Sequence, residues 1–260
     1  MGTPAAFRVA YRDLLIYRRV WKANLAGALF QPLMYLLGIG LGVGALVDKA
    51  PDSASALGGV SYLAFYASAI MATTSMFTAG QEALWPMMDG FRWSNAYRAM
   101  ISTPLEPTDV VTGVAVYFAC KTAVGATGVA MALTLFDDTR SWGLVAAVPV
   151  AVLTGLAFAL PLTAWTSTRD SDRSFPPIMR FILIPMFLFG GVFFPIEQLP
   201  DWLEPVAWAA PLWHGVELCR GIILDSIGPA KATLHLLVLI GFAGGGWVVC
   251  TQTFRRTLRP

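Results

Sequence analysis

His214, Glu217 and Arg220 follow one another at three-residue spacing, which stacks an imidazole, a carboxylate and a guanidinium along one face of a helix. Such a face can relay a proton, help hold a metal or lock a helix in place. Zinc asks for three or four ligands. Asp201 is the nearest further carboxylate, and His235, the other histidine, opens a different segment. We assign no metal and no catalytic residue here, and read the set as a hydrogen-bonded network that holds a short helix. Lys121 is the second candidate, since it interrupts the apolar run Val110–Phe136. A lysine at membrane depth either serves function or snorkels its ammonium to the surface, and both readings stand. Phe181, Phe187, Phe189, Phe193 and Phe194 form a third set. They face lipid or core in the ordinary case, or else line a greasy conduit for an amphiphile.

Several chemistries are absent from the sequence. None of the lysines sits in a GxxxxGK[ST] phosphate loop, and there is no HExxH, CxxC or GxSxG. ATP hydrolysis, if it is used, comes from another chain, so this one is expected to be no enzyme and to carry no cofactor. Cys120, Cys219 and Cys250 are scattered and imply no disulfide framework.

The elements that position these residues are membrane elements. Of the 260 residues 56% are hydrophobic and 13% charged, about half the ~25% charge usual in soluble domains. Mean hydropathy is +0.62. Runs poor in charge lie at Ala23–Val47, Ser53–Gln81, Val110–Phe136, Ser141–Thr168, Phe181–Ile196 and Ala232–Phe254. Most exceed the ~20 residues that cross a bilayer core, so six spans are expected in an all-α integral membrane protein. Arginines and lysines flank one side: Arg8, Arg12, Arg18, Arg19, Lys22, Arg92, Arg98, Arg169, Arg173, Arg180, Arg255, Arg256 and Arg259. The opposite loops hold few cations and many carboxylates, among them Asp48, Asp52, Asp137, Asp138, Glu197, Asp201 and Glu204. The positive-inside rule then places both termini in the cytoplasm and the chain in the cell membrane. No cleavable signal peptide is expected, because the first apolar run follows a long basic segment.

Residues 5–22 read as a helix lying in the membrane interface, with Phe7, Tyr11, Leu14 and Trp21 beside a basic stripe. Residues 93–102 carry Trp93, Tyr97, Met100 and Ile101 at helical spacing, with Asn95 and Arg98 off that stripe. That apolar stripe needs a cover, either the bundle itself or a soluble partner. After Phe187 come Pro195, Pro200, Pro205 and Pro211, which no single span tolerates. Span 5 is therefore expected to carry a kink near Pro185 and Gly190-Gly191. Residues 196–226 are expected to form two short helices, about Asp201–Ala209 and Leu212–Leu224, as a re-entrant hairpin or an outer cap.

FLFGGVFFPIEQLPDWLEPVAWAAPLWHGVELCRG at 187–221 and NAYRAMISTPLEPTDVVTG at 95–113 together resemble the membrane subunit of type-2 ABC exporters. The likeness is nearest to the lipo-oligosaccharide (nodulation-factor type) and drug or polyketide-lipid exporter permeases. Across residues 1–260 the resemblance implies one transmembrane domain that moves a lipid-linked, glycolipid or amphiphilic drug-like substrate outward. It implies a separate ATP-binding cassette subunit, which binds ATP and Mg, and a second permease chain, identical or paralogous. No nucleic-acid partner is expected. Trp93, Asn95, Tyr97, Arg98, Met100 and Ile101 become the ATPase-coupling helix, and Phe187, Phe189, Phe193 and Phe194 approach a transport path between spans 1 and 5. Pro195, Glu197, Pro200, Trp202, Pro211, His214 and Glu217 belong to the outer re-entrant element. A self-contained secondary transporter or channel is the alternative, with Lys121 as its only clear intramembrane charge. A membrane enzyme built on His214 and Glu217 is a more distant one.

Overall fold

A computed structural model describes residues 5–50 and 57–258, with the side chains at positions 20, 23–26, 28, 29 and 31 outside the description. Asp52 and Arg259, counted in the charge asymmetry, also lie outside it. Every regular element described is helical. Helix α1 (Ala5–Tyr35) runs on through a π-helical stretch (Leu36–Val43) into a last turn (Gly44–Val47). Residues 5–22 and the start of the first expected span thus share one helix, with no break in helical structure between them. The helix turns Val9, Ala10 and Asp13 towards the bundle and leaves Phe7, Tyr11 and Trp21 exposed.

Helix α2 (Tyr62–Met88) is capped by Ser61, whose Oγ accepts from the Ala64 amide, while Asp48 accepts from the Tyr62 amide at 2.9 Å. A carboxylate there complements the positive end of the helix dipole. The short helix α3 (Ala96–Ile101) follows a π-turn, and α4 (Pro107–Leu133) opens with proline inside a reciprocal Glu106/Asp109 capping box. Helix α5 (Gly143–Ser167) is the centre of the bundle, packed by α2, α4, α8 and α9. Helix α6 comes in three pieces: Phe175–Ile178, the π-helical Met179–Leu183 and Ile184–Phe189. Pro185 has no N–H to give the preceding turn, which accounts for the irregular ladder there. Gly191 then turns the chain at φ +75°, a conformation that suits a residue without Cβ. The kink expected in span 5 is thus a π-helical stretch, followed by a helix end at Phe189. Val192, in the non-helical segment beyond it, and Ile196, which opens a 3-10 turn (Ile196–Gln198), are both buried.

Helices α7 (Glu204–Ala209) and α8 (Pro211–Ile223) fall close to the two short helices expected, and α9 (Pro229–Leu258) closes the chain. Among the described residues three helices are long and apolar enough to cross a membrane: α4, α5 and α9. Two large cores fill the bundle. One, at the α8 end, gathers Tyr66, Val129, Leu144, Leu212 and Val216; the other, at the α3 end, gathers Val9, Met87, Phe91, Tyr97, Val110 and Phe254. Arg92 ties the α3 end together, donating to the Arg169 carbonyl and pairing with Asp170 at 3.0 Å.

Candidate functional site

A polar cavity of about 250 Å³ lies between α1, α2 and α4. Its floor is an ion pair that Glu82 on α2 makes with Lys121 on α4, and the Tyr117 hydroxyl donates to the second Glu82 oxygen at 2.8 Å. The Lys121 ammonium also sits 5.2 Å from the Tyr17 ring centroid, a cation–π distance. Lys121 is paired across the bundle. The sequence reading missed Glu82, which stands one residue past the apolar run Ser53–Gln81. The signal was available, because a lysine at membrane depth calls for a carboxylate on a neighbouring helix.

Tyr35 and Phe77 line this cavity, and both touch Phe187 on α6, with ring centroids 6.3 and 5.5 Å away. Phe187 in turn meets Phe193 at 4.8 Å, Phe193 meets Tyr66 at 5.4 Å, and Tyr66 stacks on Tyr62 at 6.2 Å. A continuous aromatic ladder therefore leads from the polar cavity to the start of α2. Phe187 and Phe193 belong to it. Phe189 instead lines a separate apolar pocket with Leu203 and Val206, while Phe194 packs on the small Ile196 and Leu199 cluster. Phe181 is exposed.

At the opposite end the apolar stripe of residues 93–102 divides. Tyr97 is 2% exposed, wedged against Phe91 at 4.9 Å and Phe254 at 5.9 Å, and its hydroxyl donates to the Met87 sulfur. Met100 and Ile101 pack on the same core. The bundle's own surface thus covers most of the stripe. Trp93, at 57% exposure, stays outside with Asn95 and Arg98. Asn95 takes the left-handed conformation, φ 52°, which an asparagine tolerates better than most side chains.

Around α8 the polar groups expected to share one network form two. His214 Nε2 donates to the Trp208 carbonyl at 2.9 Å, and its Nδ1 lies 2.9 Å from Nδ1 of His235 on α9. A carbonyl only accepts, so Nε2 carries the proton, and His235 donates to the free Nδ1. Burial pushes the His214 pKa down, which keeps the ring neutral and able to accept. Arg220 makes the other network, with Glu217 at 2.6 Å and the Gly191 and Phe65 carbonyls at 2.7 and 3.3 Å. It joins α8, the α6 terminus and α2. Pro211 is buried beside them and Pro195 is half-buried, whereas Glu197, Pro200 and Trp202 are exposed. No three His, Cys, Asp or Glu side chains converge among the described residues.

A family model described as ABC-2 type transporter matches residues 5–224. Nodulation protein J of Rhizobium leguminosarum bv. viciae is 30% identical over 247 residues, 95% of this chain and 92% of that protein. The protein of the same name from Rhizobium meliloti (strain 1021) is 30% identical over 249 residues, covering 96% and 92%. That from Rhizobium leguminosarum bv. trifolii is 32% identical over 213 residues, covering 82% and 79%.

Proposed function

The chain belongs to the ABC-2 type transporter family, and from that premise we propose that it is the permease of an ATP-driven exporter. In this reading a lipid-linked, glycolipid or otherwise amphiphilic substrate moves outward across the cell membrane. A separate ATP-binding subunit, holding ATP and Mg, supplies the force, and a second permease chain completes the pore. Both termini and α3 face the cytoplasm, and α7 and α8 form the outer cap. The resemblance of residues 187–221 and 95–113 to lipo-oligosaccharide exporter permeases favours a lipid-linked substrate over a small ion.

The observation that carries the reading is the build of α3. Exposed Trp93 and Asn95 just before it and Arg98 on it offer a contact face, while Tyr97 roots the helix in the bundle against Met87 of α2 and Phe254 of α9. A push on that face by a partner reaches two long helices through packed rings. The aromatic ladder is the closed seam at the other end of the linkage. Parting α1 from α6 separates Tyr35 from Phe187 and opens a greasy track leading from a polar chamber.

Co-purification of the full chain with its ATPase, reconstituted in vesicles, tests the proposal. ATP-dependent export of a fluorescent lipid analogue is expected. The double variant Trp93→Ala, Arg98→Ala is expected to cut export at least tenfold while ATP hydrolysis continues. Transport by the isolated chain on an ion gradient, abolished by Lys121→Ala, would establish the secondary transporter instead.

A further inference from the structure

We propose that the cavity between α1, α2 and α4 is a subsite for an uncharged, hydroxyl-rich headgroup, with Thr74, Thr78 and Gln81 as its hydrogen-bonding wall. The inference rests on the exporter reading and deepens it by naming the chemistry that this chamber accepts. The first argument is charge. Glu82 and Lys121 are 14% and 11% exposed and pair with each other, so the charges of the floor sum to zero. A charged headgroup entering there meets counter-charges already engaged, and loses its hydration without gaining a partner. A neutral polyol surrenders only hydroxyl hydration, and that is replaceable.

The replacement comes from α2. Thr74, Thr78 and Gln81 lie at i, i+4 and i+7, one face of the helix, and all three line the cavity. Their hydroxyl and amide groups both donate and accept, as sugar hydroxyls do. Among the described residues none of the three makes a side-chain hydrogen bond, whereas Thr73 beside them donates its hydroxyl to the Ala69 carbonyl at 3.0 Å. Thr74 and Thr78 are part-buried and Gln81 is exposed, so these groups stand open to a ligand instead of being committed to the helix's own carbonyls. Tyr17 and Phe77 add ring surface for the apolar C–H faces of such a headgroup. The volume of about 250 Å³ falls just below the usual range of ligand pockets, room for the terminal ring of a short sugar headgroup rather than a whole lipid. Phe77 also touches Phe187, which places the start of the aromatic ladder where an attached tail would run.

The test is equilibrium photolabelling of the full chain in lipid nanodiscs, with no ATPase present. The probe is decyl maltoside carrying a diazirine on the sugar; matched decyl probes carry a phosphate or a trimethylammonium headgroup. The maltoside is expected to label residues 62–88 at least tenfold more than the phosphate probe. Thr78→Val and Gln81→Leu are each expected to reduce maltoside labelling at least fivefold, with unfolding temperatures unchanged within a few degrees. Thr74→Val supplies the same measurement should either variant misfold. Charge neutrality has its own arm. Lys121→Gln leaves Glu82 unpaired and is expected to raise labelling by the trimethylammonium probe, and Glu82→Gln to raise labelling by the phosphate probe. A hundredfold excess of free maltose is expected to compete; labelling that maltose leaves intact assigns the contact to the alkyl chain and overturns the subsite. Equal labelling by the maltoside and phosphate probes, or no loss in the wall variants, overturns it as well. Absence of maltoside labelling in the parent chain while its ATP-driven export persists refutes the subsite alone. Binding retained without ATP-driven export refutes the exporter reading alone.

Discussion

Arg220 is 7% exposed, a burial that a guanidinium survives only when its donors are taken up. Here one carboxylate and two main-chain carbonyls take them up, and the guanidinium carbon lies 3.6 Å from the Phe65 ring centroid. Arg220→Met strands the two carbonyls, and we expect a loss of about 3 kcal/mol, read as a lower unfolding temperature in detergent. Arg220→Lys is expected to recover only part of it, because a point charge cannot match the planar fork. Asp13 makes the opposite case. It pairs with Arg12 at 2.8 Å, but its other oxygen is buried without a partner among the described residues, and burial raises its pKa to about 6. A raised acid favours the protonated fold, so stability is lost as pH rises from the ordinary carboxylate range through 6. Asp13→Asn removes that cost. The variant is expected to exceed the parent by about 2 kcal/mol at pH 8 and to match it near pH 4, by thermal unfolding at both values. Residues of this kind were only half legible in the sequence. Lys121 stood out against its apolar run, but Glu82 did not, because it follows a long apolar run and pairs with a residue distant in sequence.

Among the elements, α3 shows how one small residue decides which face is buried. A Cβ at Gly90 would lie 2.2 Å from the Tyr97 ring, so the tyrosine enters the core only because position 90 carries no side chain. Gly90→Ala must therefore expel or shift that ring, at about 1 to 3 kcal/mol. We expect amide exchange across residues 89–101 to quicken at least tenfold by mass spectrometry, and export to become uncoupled from hydrolysis. Unchanged exchange would show that Tyr97 does not anchor α3. Helical periodicity placed Trp93, Tyr97, Met100 and Ile101 on one stripe, and the short helices after Pro195 were found from their prolines. Periodicity says which residues share a face, but not which neighbour fills it. The stripe divides because Phe91 and Phe254 come from other elements and occupy one side of it. The unbroken run of α1 was equally hidden, since a change from basic to apolar sequence marks the water boundary and need not end a helix.

Across the whole molecule, the sequence separates basic from acidic loops, and that separation acts over a bilayer rather than through particular contacts. The loops carrying Arg92, Arg98 and Arg169 meet at the α3 end, where Arg255 also donates to Thr108. At the other end Asp48 and Asp138 hold the start of α2. Span number was less legible. Helix α2 is long, but its Ala, Ser and Thr positions lower its hydropathy and are largely buried among neighbours, while α6 is interrupted before it reaches span length. An orientation with the basic end inside makes a test at this scale. Trp202 and Ser94 are both exposed and lie at opposite ends, whereas Cys219 and Cys250 are buried and contribute little background. With Cys120 replaced by alanine, Trp202→Cys is expected to react with a membrane-impermeant maleimide on intact cells. Ser94→Cys is expected to react only after the membrane is opened, and a reversed pattern would place α3 outside, beyond the reach of any cytoplasmic ATPase. The exporter mechanism needs both ends at once, a cytoplasmic face for α3 and an outer cap at α8, so this single labelling pair decides whether the linkage from Trp93 to the aromatic ladder points the right way.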